Sequence, residues 1–346
     1  MKKVLIVFTG GTIGSRKTNK VINIDERTSY LLIETYLSSE TRKEFVFDTC
    51  QPLNILSENL IPNDWLTLIA ALDEYDLSQY HGIIITHGTD TLPFTAAAVS
   101  YAFHYTPIPI ILIGSNYPLD DPRNNGSRNF ATAVDFILEN TRPGVFVIFE
   151  NRKGESIVHL GTRLTQAVSF TDEFDSANSI YYGLMANGII EAYDRDHNPS
   201  LSALQNVKRI QLGAINFSSE VLYIKPYPGL DYSFFDFSIE KPKAILHDLY
   251  HSGTACIRNN GKFSLETFAR YCNEHGVDVY VAPIRNISGD LYQSAKELID
   301  SGVAPVENLS VEAALVKLML AYGSYENKDD ILHLLKGPPL FFERIH

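Results

Sequence analysis

Cysteine is scarce: Cys50, Cys256 and Cys272 are the only three in 346 residues. They show no CxxC spacing, so neither a zinc ribbon nor a dithiol redox motif is indicated. A sparse, odd count suits a reducing compartment. Positive charge is also short. The chain carries 29 Lys and Arg against 41 Asp and Glu, a formal net charge of −12. That field repels phosphate backbones and anionic membrane surfaces, and no basic run offsets it. No apolar stretch approaches the length of a membrane span. The apolar run at residues 4–8 is stopped by Gly10 and Gly11, too early for a signal-peptide core. HExxH and clustered histidines are absent, so no metal is expected; G-x-G-x-x-G is absent, so a dinucleotide site fits poorly; and no G-x-S-x-G elbow appears. The expectations are a cytoplasmic protein with no nucleic-acid partner and no membrane association.

Hydrophobic residues make up 45% and charged residues 20% of the chain, an ordinary globular composition. The length suggests two domains. Residues 4–8, 45–50, 82–86, 108–114 and 145–149 read as buried strands. Residues 63–75, 91–104 and 129–140 read as the helices between them, the first with Trp65, Leu68, Ile69 and Leu72 on one stripe. This alternation predicts a doubly wound parallel sheet with helices on both faces. The polar stretch Asp194-Arg195-Asp196-His197-Asn198-Pro199 suits a linker. A second alternating pattern follows, with strands at 221–225, 244–249 and 277–282 and helices at 265–275, 291–301, 311–322 and 329–336. The predicted organisation is therefore α/β: a larger N-terminal domain at 1–193 carrying the active-site loops, a linker at 194–211, and a smaller C-terminal α/β domain at 212–346. Residues after Gly14 and those from 151 to 171 read as long connectors, the kind that become lids or binding loops.

Two loops carry the candidate chemistry. Thr9-Gly10-Gly11-Thr12-Ile13-Gly14 follows the first strand, at the sheet edge where α/β proteins bind ligands. Its glycines let backbone amides approach a ligand, and Thr12 offers a hydroxyl. The plainer reading is a tight turn with threonine caps. Thr86-His87-Gly88-Thr89-Asp90-Thr91 repeats the arrangement at the end of another strand. Thr89 presents a hydroxyl near a helix N-terminus, and Asp90 either binds a ligand ammonium or caps the helix. Amide hydrolysis needs a nucleophile, a base and oxyanion donors. Thr12 and Thr89 supply hydroxyls, and Gly11 and Gly88 supply approachable N–H groups.

Together these loops resemble the bacterial-type L-asparaginase family, close to its cytoplasmic (type I) branch. The resemblance extends to Gly114-Ser115-Asn116-Tyr117-Pro118-Leu119, Arg123-Asn124-Asn125-Gly126, Tyr227-Pro228-Gly229 and Ser310-Val311-Glu312-Ala313-Ala314. It implies hydrolysis of L-asparagine to L-aspartate and ammonia, with glutaminase activity as a variant and no cofactor. Thr12 matches the nucleophile, and Thr89 and Asp90 match the second threonine and its aspartate. Asp90 would bind the substrate α-ammonium, while Ser57 and Glu58 would grip the amino-acid head group. The family assembles as dimers or tetramers with active sites at subunit contacts, so a homodimer or homotetramer is expected.

Three positions depart from the family pattern. In Gly161-Thr162-Arg163-Leu164-Thr165-Gln166-Ala167, Gln166 stands where the family has a lysine that handles the second threonine's proton. A glutamine amide hydrogen-bonds but cannot carry that proton. Arg163 is a poor substitute because it stays protonated. In Lys17-Thr18-Asn19-Lys20-Val21-Ile22, Val21 stands at the family's loop tyrosine, and Tyr30 further on reads as packing. In His251-Ser252-Gly253-Thr254, Thr254 replaces a frequent asparagine. These departures keep an alternative open, a weak or inactive paralogue that senses an amino acid. A component of a tRNA-dependent amidotransferase shares the motifs. It is disfavoured by the chain's acidity and by the extra N-terminal domain that the resemblance would require.

Overall fold

The most apolar short runs of the sequence become the middle of a sheet. The structure, a computed structural model, describes residues 2–11, 13, 15–18, 21–24, 26–39, 43–139, 142–193, 197–258, 261–285 and 292–345. The chain divides into two units, Met1–Gln211 with Leu340–Phe342, and Leu212–Pro339 with Glu343–His346. Among the described residues no helix is long and apolar enough to cross a membrane.

The strands of the first unit are β1 (Lys2–Phe8), β2 (Ser15–Thr18), β3 (Val21–Ile24), β4 (Phe45–Cys50), β5 (Gly82–Thr86), β6 (Pro109–Ile113), β7 (Gly144–Glu150), β8 (Ser156–Leu160), β9 (Leu164–Thr165), β10 (Asp175–Ser176), β11 (Gly183–Ala186) and β12 (Ile189–Ala192). Its helices are α1 (Glu26–Leu37), α2 (Pro62–Asp73), α3 (Leu92–Ala102), α4 (Gly126–Glu139) and α5 (Leu201–Gln205). The main sheet runs β12-β11-β8-β7-β6-β5-β1-β4. Strands β4, β1, β5, β6 and β7 are parallel, and β8, β11 and β12 extend the sheet antiparallel.

Full burial explains the unbroken apolar runs. Val4, Leu5, Ile6 and Val7 of β1 and Ile83, Ile84 and Ile85 of β5 are all 0% exposed, each adding about 1.5–3 kcal/mol of transfer free energy. Helices cover both faces. Phe146 of β7 meets Phe136 of α4. The residue before it, Val145, gathers with Ser100 and Ala96 of α3 around Gly161, and successive strand side chains point to opposite faces. The predicted doubly wound parallel sheet is therefore present. Strand β4 lies on one side of β1, and β5, β6 and β7 lie on the other. Winding thus reverses between β1 and β5, and such a switch point opens a crevice beyond the strands' carboxyl ends.

Two segments read as long structureless connectors, of the kind that form lids or binding loops, contain paired strands. Residues 15–24 hold β2 and β3, antiparallel with Ser15 opposite Ile24 and Thr18 opposite Val21; the β-branched Val21, Ile22 and Ile24 favour the strand. Residues 151–171 contain β8 and β9. Gly154 takes φ +77°, which a glycine adopts without strain, and its N–H donates to Asn151 O at 3.0 Å, turning β7 back into β8. The end of the chain also returns to this unit. Phe341 packs edge-on against Phe146 and its backbone carbonyl accepts from Thr162 Oγ1 at 2.8 Å.

The second unit is a parallel four-stranded sheet, β13 (Val221–Ile224), β14 (Ala244–Asp248), β15 (Asp278–Ile284) and β16 (Ala304–Glu307), in that order. Its helices are α6 (Leu265–Glu274), α7 (Gln293–Asp300), α8 (Val311–Ser324) and α9 (Lys328–Lys336). Phe268 of α6 stacks on Tyr232 with ring centroids 4.7 Å apart. After β14 the chain makes a tight turn in which Tyr250 N–H donates to Thr254 O at 2.9 Å.

Burial keeps three histidines neutral, pulling His87 down to about 4, His159 to about 3 and His247 to about 4, each from 6.5. The unfolded chain takes up these protons near pH 6.5 and the folded chain does not. Stability therefore falls as pH drops from about 6.5 towards about 4, by up to ~1.4 kcal/mol per pH unit for each histidine. Urea midpoints measured across that window should fall with acid, and His159→Gln should flatten the slope. An unchanged midpoint down to about pH 5 would contradict the burial argument.

Candidate functional site

The site forms where β1 and β5 end. Thr9 is not available to a ligand, because its Oγ1 donates to Thr86 O at 2.7 Å, tying the ends of β1 and β5 together. Gly10 and Gly11 then turn the chain at φ +100° and +75°. Gly11 N–H donates to Ile55 O at 2.9 Å, and Ile55 N–H to Thr9 O at 3.1 Å, so the segment after β4 flanks the turn. A Cβ on Gly11 would lie 2.6 Å from Gly88 Cα, and one on Gly88 would lie 2.6 Å from Ser57 Cβ. Only glycines allow the two loop backbones to approach each other and the Ser57 side chain this closely.

The structure thus brings Gly11, Ser57 and Gly88 together. Thr89 follows Gly88 in the chain and turns its Cγ2 towards Gly114 at the end of β6, where an added Cβ would lie 3.3 Å from it. Thr91 donates from Oγ1 to Ser57 O at 2.9 Å, locking the β5 loop to the 57–59 turn. Ser57 and Gly88 are buried, Thr89 is half-buried, and Asp90 and Glu58 are exposed. The cap position of α3 is Thr91, so Asp90 is not the helix cap. Thr12 and Gly14 lie outside the described residues; Ile13, beside Thr12, is buried. Its Cδ1 lies 3.2 Å from where Gly126 would carry a Cβ, which anchors that side of the loop on the start of α4.

Gln166 is exposed, directly after β9, and β9 packs beside α3. It is not among the nearest neighbours of Gly11, Gly88 or Gly114. Arg163 turns elsewhere, donating from Nε to Phe342 O and from Nη1 to His197 O, both at 2.7 Å. Tyr30 sits on α1, 60% exposed. Thr254 belongs to the second unit, in the turn after β14. Among the described residues, no three His, Cys, Asp or Glu side chains gather into a metal cluster.

Sequence reasoning missed what lies beneath the loop. Trp65 Nε1 donates to Thr95 Oγ1 at 3.0 Å. Thr95 Oγ1 lies 2.9 Å from His87 Nε2, and His87 Nδ1 lies 2.7 Å from Gly88 O. The helical stripe on α2 pointed to a buried Trp65, but nothing in it pointed to its partner.

The crowding at Gly11 gives a direct expectation. Gly11→Ala would place a methyl against Gly88 backbone, which has no side chain to swing aside, and would strain a left-handed residue. Displacing a reacting group by about 1 Å costs about 10²-fold in rate, so turnover of a wild-type substrate should fall by about that factor. Steady-state kinetics of the folded variant reads it; a rate within about twofold of wild type would show that the two loops do not need this approach.

Residues 3–198 match the asparaginase N-terminal family. A subunit of the glutamyl-tRNA(Gln) amidotransferase of Methanococcus maripaludis is 32% identical over 346 residues, 95% of this chain and 78% of that one. The L-asparaginase of Thermococcus kodakarensis is 29% identical over 339 residues, 96% of this chain and 97% of that one. The solved structure of the thermostable L-asparaginase from Thermococcus kodakarensis superposes with a TM-score of 0.79 at 25% identity, covering 99% of each chain. With a glycine-lined site at the β1/β5 switch point and these likenesses over nearly its whole length, the chain belongs to the asparaginase family.

Proposed function

We propose that the protein hydrolyses the side-chain amide of L-asparagine to L-aspartate and ammonia. The observation that carries this reading is the meeting of Gly11, Ser57 and Gly88 at the switch point. Thr12 Oγ attacks the amide carbon, the C–N bond breaks, and ammonia leaves with the transferred proton. Water then cleaves the threonyl ester, releasing aspartate and restoring the hydroxyl. The Gly11 N–H expected to face a ligand is instead donated to Ile55 O, so other backbone N–H groups of the two loops stabilise the oxyanion in each step. Asp90 holds the α-ammonium, and Ser57 and Glu58 hold the head group. The protein works as a homodimer or homotetramer. Ammonia release by the pure protein from L-asparagine, L-glutamine and their D-forms is the test, with L-asparagine turned over fastest. No turnover of any of the four sinks the reading.

Gln166 sets the level of activity in this scheme. Gln166→Lys should raise the rate with L-asparagine, by as much as about 10²–10⁴-fold if the proton carrier is what wild type lacks. No change would show that proton transfer follows another route. If wild type binds aspartate in calorimetry without hydrolysing asparagine, the sensing reading replaces the hydrolytic one.

A second reading is favoured by the 32% identity to part of an amidotransferase. In this reading the same amide chemistry supplies ammonia to a partner protein. Free asparagine turned over by the chain alone favours the first reading; ammonia release only with the partner added favours the second.

A further inference from the structure

We propose that Trp65, Thr95 and His87 are positioning residues, a buried hydrogen-bond chain that fixes the direction of the Gly88–Thr89 peptide at the reaction site. The inference rests on the amidohydrolase reading above and adds to it which residues aim one of its backbone donors.

The chain has one possible polarity. An indole N–H only donates, so Thr95 Oγ1 accepts from Trp65 at 3.0 Å. The single hydroxyl proton of Thr95 is then free to go to His87 Nε2, 2.9 Å away. A carbonyl only accepts, so the ring proton sits on Nδ1 and is donated to Gly88 O at 2.7 Å. Each group thus sets the next, from an indole on α2 through a hydroxyl on α3 to the loop. Trp65, Thr95 and His87 are 4%, 0% and 2% exposed, so no bulk water competes. Burial also keeps the imidazole neutral, its pKa pulled down to about 4, which leaves Nε2 able to accept throughout the neutral range.

The consequence follows from peptide geometry. In a planar trans peptide the C=O and the N–H point in opposite directions; among the described residues the cis bond is Ala282–Pro283. Holding Gly88 O against the imidazole therefore sends the Thr89 N–H the other way, away from His87. Gly88 has to be glycine, because a Cβ there would lie 2.6 Å from Ser57 Cβ. Glycine is also the residue whose flanking peptides turn over most freely. The loop needs a residue that cannot hold its own peptide, and the buried chain holds it from behind.

Thr95→Val keeps shape and removes the hydroxyl; Thr95→Ser keeps the hydroxyl. With L-asparagine, Thr95→Val should lower kcat by about 10–10²-fold, the scale of a misaimed oxyanion donor, with KM within about threefold. Thr95→Ser should recover kcat to within about threefold of wild type. Thr95→Val at wild-type kcat, or Thr95→Ser as impaired as Thr95→Val, overturns the proposal. ¹⁵N NMR of the wild-type ring does not depend on how the variants fold: the Nδ1–H tautomer is expected for His87, and the Nε2–H tautomer overturns the proposal. If wild type turns over no amide, the hydrolytic reading fails by itself, and the chain is judged by the tautomer and by aspartate affinity. That affinity should weaken in Thr95→Val and return in Thr95→Ser.

Discussion

Thr12→Ala should reduce L-asparagine turnover by about 10⁴-fold or more, since in the proposed scheme Thr12 is the nucleophile and its loss closes the covalent route. Aspartate affinity should stay within several-fold of wild type, because the head group is held by Ser57, Glu58 and Asp90 in the proposed scheme. The variant should fold normally. The neighbouring Gly11 is anchored by its hydrogen bond to Ile55 O, and Ile13 by its packing next to Gly126. Single-turnover kinetics with isothermal calorimetry separates the two effects. Retained turnover would move the nucleophile to the second loop, to Thr89. Loss of binding together with turnover would mean that the substitution disturbed the loop rather than the chemistry.

Lys317→Met should destabilise the second unit by about 3–5 kcal/mol. Lys317 lies in the middle of α8 among Val316, Leu318 and other buried apolar side chains, and its Nζ meets Glu343 Oε1 at 2.7 Å with both side chains fully buried. Attraction offsets the desolvation of two charges only while both are present; removing the Lys317 ammonium takes that attraction away from the buried Glu343 carboxylate. Pairing Lys317→Met with Glu343→Leu should recover most of the loss, because an apolar pair of similar volume carries no such penalty. Urea unfolding of the single and double variants reads the difference. A single variant within about 1 kcal/mol of wild type would show that Glu343 escapes to water on losing its partner.

What the sequence disclosed follows burial and locality. Strands buried on both faces, such as β1 and β5, stand out as uninterrupted apolar runs, and amphipathic helices such as α2 show their stripe. Short strands of mixed polarity do not. Ser15–Thr18 contains no large apolar residue, and its strand state comes from pairing with Val21–Ile24. Strand β16 carries Pro305 and is hidden for the same reason. At the site, the glycines and hydroxyls were legible because each loop directly follows a strand. That the two loops meet was legible too; that they touch through Gly11 and Gly88 themselves was not, since that detail depends on how closely the ends of β1 and β5 approach. The chain from Trp65 to Gly88 joins three separate segments and leaves no periodic mark. The return of Leu340–Phe342 to the first unit rests on Phe341 O accepting from Thr162, a partner 179 positions away.

The central claim is that the loops after β1 and β5 form one amino-acid site. A crystal structure of the wild-type protein soaked with L-aspartate tests it most directly. Aspartate should lie beside the touching Gly11 and Gly88, beyond the ends of β1 and β5, with its side-chain carboxylate on free backbone N–H groups of the two loops and its α-ammonium on Asp90. Aspartate bound away from these residues, while the loops keep their positions, would contradict it.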